Sequence, residues 1–190
     1  MALSDQSQNP LLGKWETQYE IAPFNLIYDE HFQPALEIAC SESLIEVEEI
    51  IKNSDEPTFK NTIEALLSTG RLLDRVVSTF YTITGAHTNK IRDELRLVFS
   101  SKLSDHNTNI YSNTELFDRV NRVVETDQLN GLDREQVRVL KLVHRNFVRS
   151  GAALKGKDKT RFKNISKQLA EIGTKFSQNL LSDERDWFMK

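Results

Sequence analysis

The stretch Arg161-Phe-Lys-Asn-Ile-Ser-Lys-Gln-Leu-Ala-Glu-Ile-Gly-Thr-Lys-Phe-Ser-Gln-Asn-Leu-Leu181 carries Phe162, Ile165, Leu169, Ile172, Phe176 and Leu180 at steps of 3, 4, 3, 4 and 4. Those steps follow the turn of an α-helix and set all six apolar side chains on one face. A half-buried strand would alternate apolar and polar residues, and no useful length of the chain does so. The same helical period recurs upstream. Leu36, Cys40, Leu44, Val47 and Ile51 predict a helix over about Phe32–Asn53. Asn53-Ser-Asp-Glu-Pro57 breaks it. Phe59, Ile63, Leu66, Leu73, Val76, Phe80 and Ile83 predict a second helix over about Thr58–Gly85. Gly70 interrupts that period at a cost of about 1 kcal/mol relative to alanine, and close helix packing is one reason for a glycine there. A third helix, Asn89–Tyr111, shows Ile91, Leu95, Val98, Leu103, His106 and Ile110.

Ser112-Asn-Thr-Glu115 has the form of a capping box and opens a short helix with Leu116, Val120 and Val123. Asn130-Gly131 ends that segment, and Asp133 caps a fifth helix with Val137, Leu140, His144, Phe147 and Gly151 on one face. Residues 1–30 hold two of the four prolines and no sustained period. The expectation is an all-α protein: an extended arm over 1–30, then about six helices over 31–190 in an antiparallel bundle. Composition agrees, because seven glycines and four prolines among 190 residues fall well below the roughly 12% of an average protein. Trp187-Phe188-Met189 stand at the end with nothing after them to bury them. Either they fold back on the bundle or the natural polypeptide continues into another domain; the second is the expectation.

The net charge of −3 hides a strong polarity. Residues 1–70 carry 3 Lys/Arg against 13 Asp/Glu, and residues 133–167 carry 11 against 3. Arg138, Lys141, Arg145 and Arg149 step by 3, 4 and 4, and Lys159, Lys163 and Lys167 by 4 and 4. Such rows are foremost solvated faces, or faces paired with the acidic first third. They could otherwise line a cleft for an anionic or peptide ligand. Nucleic acid ranks last and is not expected, since the pI is 5.9 and no nucleic-acid fold signature is visible. No apolar run approaches 18 residues, so no membrane contact is expected. Met1-Ala-Leu-Ser-Asp-Gln-Ser-Gln lacks the features of a signal peptide, and a cytoplasmic location is expected.

The residues offer little chemistry. The histidines stand at 31, 87, 106 and 144, so no two share a helix face one turn apart, and H-E-x-x-H does not occur. His106 and His144 occupy apolar slots and read as hydrogen-bonded core or boundary residues; His31 reads as part of a helix start. Cys40 excludes an intrachain disulfide by its solitude and sits in an apolar stripe as a small hydrophobe. The carboxylate pairs Asp29-Glu30, Glu48-Glu49 and Asp93-Glu94 read as solvated helix faces. Phosphate-binding glycine motifs and nucleophile elbows do not occur. No catalytic, cofactor-binding or metal-binding residue is therefore assigned to this chain.

A set of ordered segments nevertheless resembles the N-terminal part of the M3 family of zinc metallopeptidases, the oligopeptidase A, thimet oligopeptidase and peptidyl-dipeptidase group. They are Asn9-Pro-Leu-Leu12; Ala22-Pro-Phe24 with Ile27 and His31-Phe32-x-Pro-Ala35; Pro57-Thr-Phe-x-Asn-Thr-Ile63 with Glu64-Ala-Leu66 and Gly70; Ala86-His-Thr-Asn89; Asn113-x-x-Leu116-Phe117-x-Arg119-Val120; Phe147-x-x-x-Gly151-Ala-x-Leu154; and Phe176-x-x-Asn179-Leu180-Leu181. Each is weak alone, and together they run in order along nearly the whole chain. Ala-His-Thr-Asn and Leu-Phe-x-Arg-Val are most similar to the peptidyl-dipeptidase branch.

The resemblance implies a longer, mostly helical parent enzyme with two lobes across a deep channel. Zinc would sit in the downstream lobe, held by two histidines of H-E-x-x-H and a further glutamate, with the motif glutamate activating water. Substrates would be short peptides, and release of C-terminal dipeptides is implied. The partner of this chain would be that downstream catalytic domain, and alone it should be inactive. The rival reading is a stand-alone helical protein-interaction module.

Overall fold

The computed structural model describes residues 9–126 and 131–186, so the expectations placed on Trp187 and Asn130 lie outside the described residues. All regular structure among the described residues is helical. The long helices are α1 (Asp29–Lys52), α3 (Arg71–Ala86), α4 (Lys90–Tyr111), α5 (Thr114–Glu125), α6 (Arg134–Arg149) and α7 (Gly156–Asp186). Between α1 and α3 lie a π-type segment, Phe59–Glu64, and the four-residue α2, Ala65–Ser68. No helix is long and apolar enough to cross a membrane among the described residues.

The arm before α1 is pinned to the body. Asn9 donates from Nδ2 to the carbonyl of His31 at 2.9 Å, and its Oδ1 accepts from the Leu11 amide. Leu11 is fully buried. Arg75 of α3 donates to the Leu11 carbonyl at 2.8 Å and lies 5.0 Å from the centre of the Trp15 ring. Helix α1 starts at Asp29, two residues ahead of the predicted bundle boundary, with the Tyr28 amide donating to His31 Nδ1 at 3.0 Å.

Two apolar cores flank α1. The first joins Leu11 and Ile27 to Phe32, Ala35, Leu36 and Ala39 of α1, Leu73, Val76 and Phe80 of α3, and Leu95 and Phe99 of α4. At its centre Phe80 stacks on Phe99 at 3.9 Å between centroids, and Phe32 meets Phe80 edge-on at 5.1 Å. The second joins Val47 and Ile50 of α1 to Phe59, Ile63 and Leu66, then to α5, α6 and Ala152. The buried face of α1 is thus turned toward Ala35, Ala39 and Ser43, whose small side chains admit the neighbouring helices closely; Cys40, Leu44 and Ile51 are half-buried at its edge.

Three predicted details need correction. The second helix is not continuous: Thr69 is extended and Gly70 has φ +75°, so α3 starts anew at Arg71. Gly70 donates its amide to Glu46 Oε2 at 2.6 Å, and a Cβ there would stand 3.1 Å from Ser43 Oγ. Close approach to α1 does explain the glycine, but with a break rather than through an unbroken helix. The cap of α5 is Asn113, which accepts from the Leu116 amide at 2.9 Å, and not Ser112. On α4, Leu95, His106 and Ile110 are buried as the spacing predicts, but Ile91 is 58% exposed and Phe99, absent from the predicted set, is buried.

The Asp133 cap holds as expected, with Gln136 returning a bond to the Asp133 amide at 3.1 Å. Helix α6 ends in a Schellman turn. Ala152 donates to the Phe147 carbonyl at 3.1 Å, Gly151 donates to Val148 at 3.0 Å, and Gly151 sits at φ +79°.

Candidate functional site

The histidines go to structural tasks. His31 helps close the start of α1. His144 Nε2 lies 3.1 Å from Asn121 Oδ1, with its ring stacked on Phe117. His106 is buried, with Nε2 3.3 Å from Ser43 Oγ. Burial lowers its pKa below the ordinary imidazole value and favours the neutral ring. A Ser–His contact could suggest a nucleophile and base, but both residues are enclosed in the core, where no substrate reaches them. Burial also raises the Cys40 thiol pKa, which the Lys102 charge only partly offsets, so the reactive thiolate is disfavoured.

His87 serves a polar knot at the α3–α4 corner. Its carbonyl accepts from Arg92 Nη1 at 2.6 Å, while Arg92 Nε donates to Asp29 Oδ1 at 2.6 Å. Asn89 both accepts from the Arg92 amide and donates to Asp29 Oδ2. Burial pushes the Asp29 carboxyl up; the bonds from Asn89 and Arg92 and the Arg92 charge outweigh it, leaving the pKa below the usual carboxylate value. The carboxylate is therefore held as an anchor rather than freed as a base.

The other segments behind the resemblance are equally architectural. Thr58 and Asn61 form a reciprocal capping box at the π-type segment. Arg119 donates to the carbonyls of Asn53 and Asp55 where α1 ends. A Cβ on Gly151 would stand 2.8 Å from the ring of Phe162. The similarity is thus written in caps, turns and core contacts that hold a shape, and none of these groups is poised for bond cleavage. Among the described residues, no three His, Cys, Asp or Glu side chains converge, so the donor set needed for a catalytic zinc is not met here.

What remains is surface. Arg138, Lys141, Arg145 and Arg149 of α6 are all exposed. The ion pairs among the described residues are Lys52–Glu48 and Arg92–Asp29, so the basic row is solvated and not paired with the acidic first third. A cleft of about 600 Å³ lies between the end of α4 and the start of α7, lined by Thr108, Tyr111, Ser150, Lys159, Phe162 and Ser166 among others. Most of its wall is apolar, and Lys159 is the one charged side chain among the described residues that line it.

The α7 stripe departs most from expectation. Ile165, Leu169, Ile172 and Phe176 are 45%, 63%, 61% and 68% exposed, so these four residues of the most regular apolar face in the sequence are not part of either core. Sequence periodicity located this face and assigned it to the bundle; the structure leaves it bare from Ile165 to Phe176.

No family model matches the chain. It is 37% identical over 176 residues to the dipeptidyl carboxypeptidase of Salmonella typhimurium and 36% identical over the same length to that of Escherichia coli, covering 93% of this chain in each case. It is 26% identical over 184 residues to Escherichia coli oligopeptidase A. The chain spans about a quarter of the length of these curated relatives, 26% in each.

Proposed function

The chain corresponds to the N-terminal region of the M3-family zinc metallopeptidases, and from that premise we propose that it is the non-metal helical domain of a cytoplasmic peptidyl-dipeptidase. In this reading it forms one wall of a channel that admits short peptides and excludes folded proteins. Zinc and the residues that polarise water belong to the polypeptide beyond Lys190. This domain contributes shape: rigid helices that restrict access and help enclose a bound peptide. The observation that carries the reading is the continuous similarity to two dipeptidyl carboxypeptidases over 93% of this chain and 26% of their length.

The test begins with the reading frame downstream of codon 190, which is expected to encode H-E-x-x-H. The protein from the whole frame should then release C-terminal dipeptides from a short N-blocked peptide, lose that activity to a chelator and regain it with zinc. The 190-residue chain should release none. Chelator-sensitive dipeptide release by the 190-residue chain alone would refute the assignment of the chemistry to a downstream domain. A stand-alone interaction module is the second reading, favoured by the bare α7 stripe. A reading frame that stops at Lys190 would select it.

A further inference from the structure

Ile165, Leu169, Ile172 and Phe176 continue the register of Phe162, which packs against Gly151 at the start of α7. One end of the stripe is therefore anchored to the body while the rest faces solvent. From Ile165 to Phe176 the stripe rises about 17 Å along the axis, three turns of helix. Exposed apolar area this contiguous on an otherwise polar helix marks a contact surface. Toward its start the same register reaches Asp158, two turns before Ile165, with Arg161 beside it, and both are exposed. The surface is thus apolar along its middle and of mixed charge at one end. Its complement is an amphipathic helix with one apolar face.

We propose that the polypeptide following Lys190 turns back and lays such a helix along α7, making α7 the seam between this domain and the rest of the protein. The inference rests on the functional reading above and adds the surface and the chemistry of its occupant. Two facts select this occupant. Helix α7 is the last element among the described residues, so polypeptide downstream of it reaches it with the least loop closure. The relatives extend to about four times the matched length, which leaves ample polypeptide to cover it.

The experiment compares thiol labelling of Leu169→Cys and Ile172→Cys, in a Cys40→Ser background, between the 190-residue chain and the protein from the whole reading frame. Peptide-resolved mass spectrometry reads each site separately. Leu97→Cys, on the 74% exposed position of α4, serves as the reference. The expected result is labelling about tenfold or more slower at positions 169 and 172 in the longer protein, with position 97 unchanged. Equal rates in both proteins, while the longer one still releases dipeptides, would overturn the seam and leave the functional reading standing. Protection that appears in the 190-residue chain with rising concentration would assign the stripe to a second copy and equally overturn it. A frame that ends at Lys190 would overturn both readings.

Discussion

Replacing Gly151 by alanine tests the hinge on which α7 is mounted. The residue closes the Schellman turn of α6 at φ +79°, a conformation that costs an L-residue about 1–2 kcal/mol. The new methyl would also stand 2.8 Å from Cδ1 of Phe162, inside contact distance. Overpacking of that kind costs about 1–3 kcal/mol, and the half-buried Phe162 can swing aside to relieve part of it. Gly151→Ala should therefore lose about 2–4 kcal/mol in all, combining the backbone and packing costs. In urea unfolding followed by far-ultraviolet circular dichroism, the midpoint should fall by about 1 M.

A double-mutant cycle separates the two causes. In a Phe162→Ala background the packing cost disappears, and Gly151→Ala should cost only about 1–2 kcal/mol more, the backbone share. An unchanged midpoint for Gly151→Ala would refute the left-handed turn. An equal cost in both backgrounds would refute the Phe162 contact.

Other substitutions probe the remaining elements. Asn113→Ala should cost about 1 kcal/mol and Ser112→Ala a few tenths, read as urea midpoints, because the cap bond comes from Asn113; the reverse order would restore the Ser112 cap. Phe99→Ala should cost about 3–5 kcal/mol, against less than about 0.5 for Ile91→Ala, by the same assay. His106 has a folded pKa below its unfolded value of 6.5, so stability is fully present above that pH and declines as the pH falls through it. The imidazole resonances should titrate below 6.5 in nuclear magnetic resonance, and His106→Gln should flatten the acid-side loss of stability. Titration at or above 6.5 would remove this account.

Periodicity located the helices and the Asp133 cap, because those signals lie within a few residues of one another. It erred where the deciding partner is distant in sequence. The cost of Gly70 was visible, but its left-handed turn depends on a carboxylate from Glu46 and on the bulk of Ser43, both on α1. Ala35, Ala39 and Ser43 were not placed on the core face because small side chains carry no strong apolar signal, although they are buried where helices approach α1. The choice between Ile91 and Phe99 was made by Phe80 and Phe32 on two other helices. The knot of Asp29, Asn89 and Arg92 spans about sixty residues and leaves no periodic trace. For α7 the pattern named the apolar face correctly; a pattern contains no information on what covers that face. Of the candidate surface, the sequence made legible the cationic row of α6 and the apolar row of α7, and the motifs that carried the resemblance supply caps, turns and core contacts.

Helix α1 has a consequence for how the molecule comes apart. Its first half walls one core and its second half walls the other. Neither core can loosen without stripping a side from its neighbour. Slow amide protons of α3 and of α6 should therefore exchange with the same opening free energy, as one foldon, although no core residue of α3 shares a cluster with any of α6. A polypeptide built this way offers a protease no half-melted intermediate at α1, and its rigidity is that of a single beam rather than two hinged blocks.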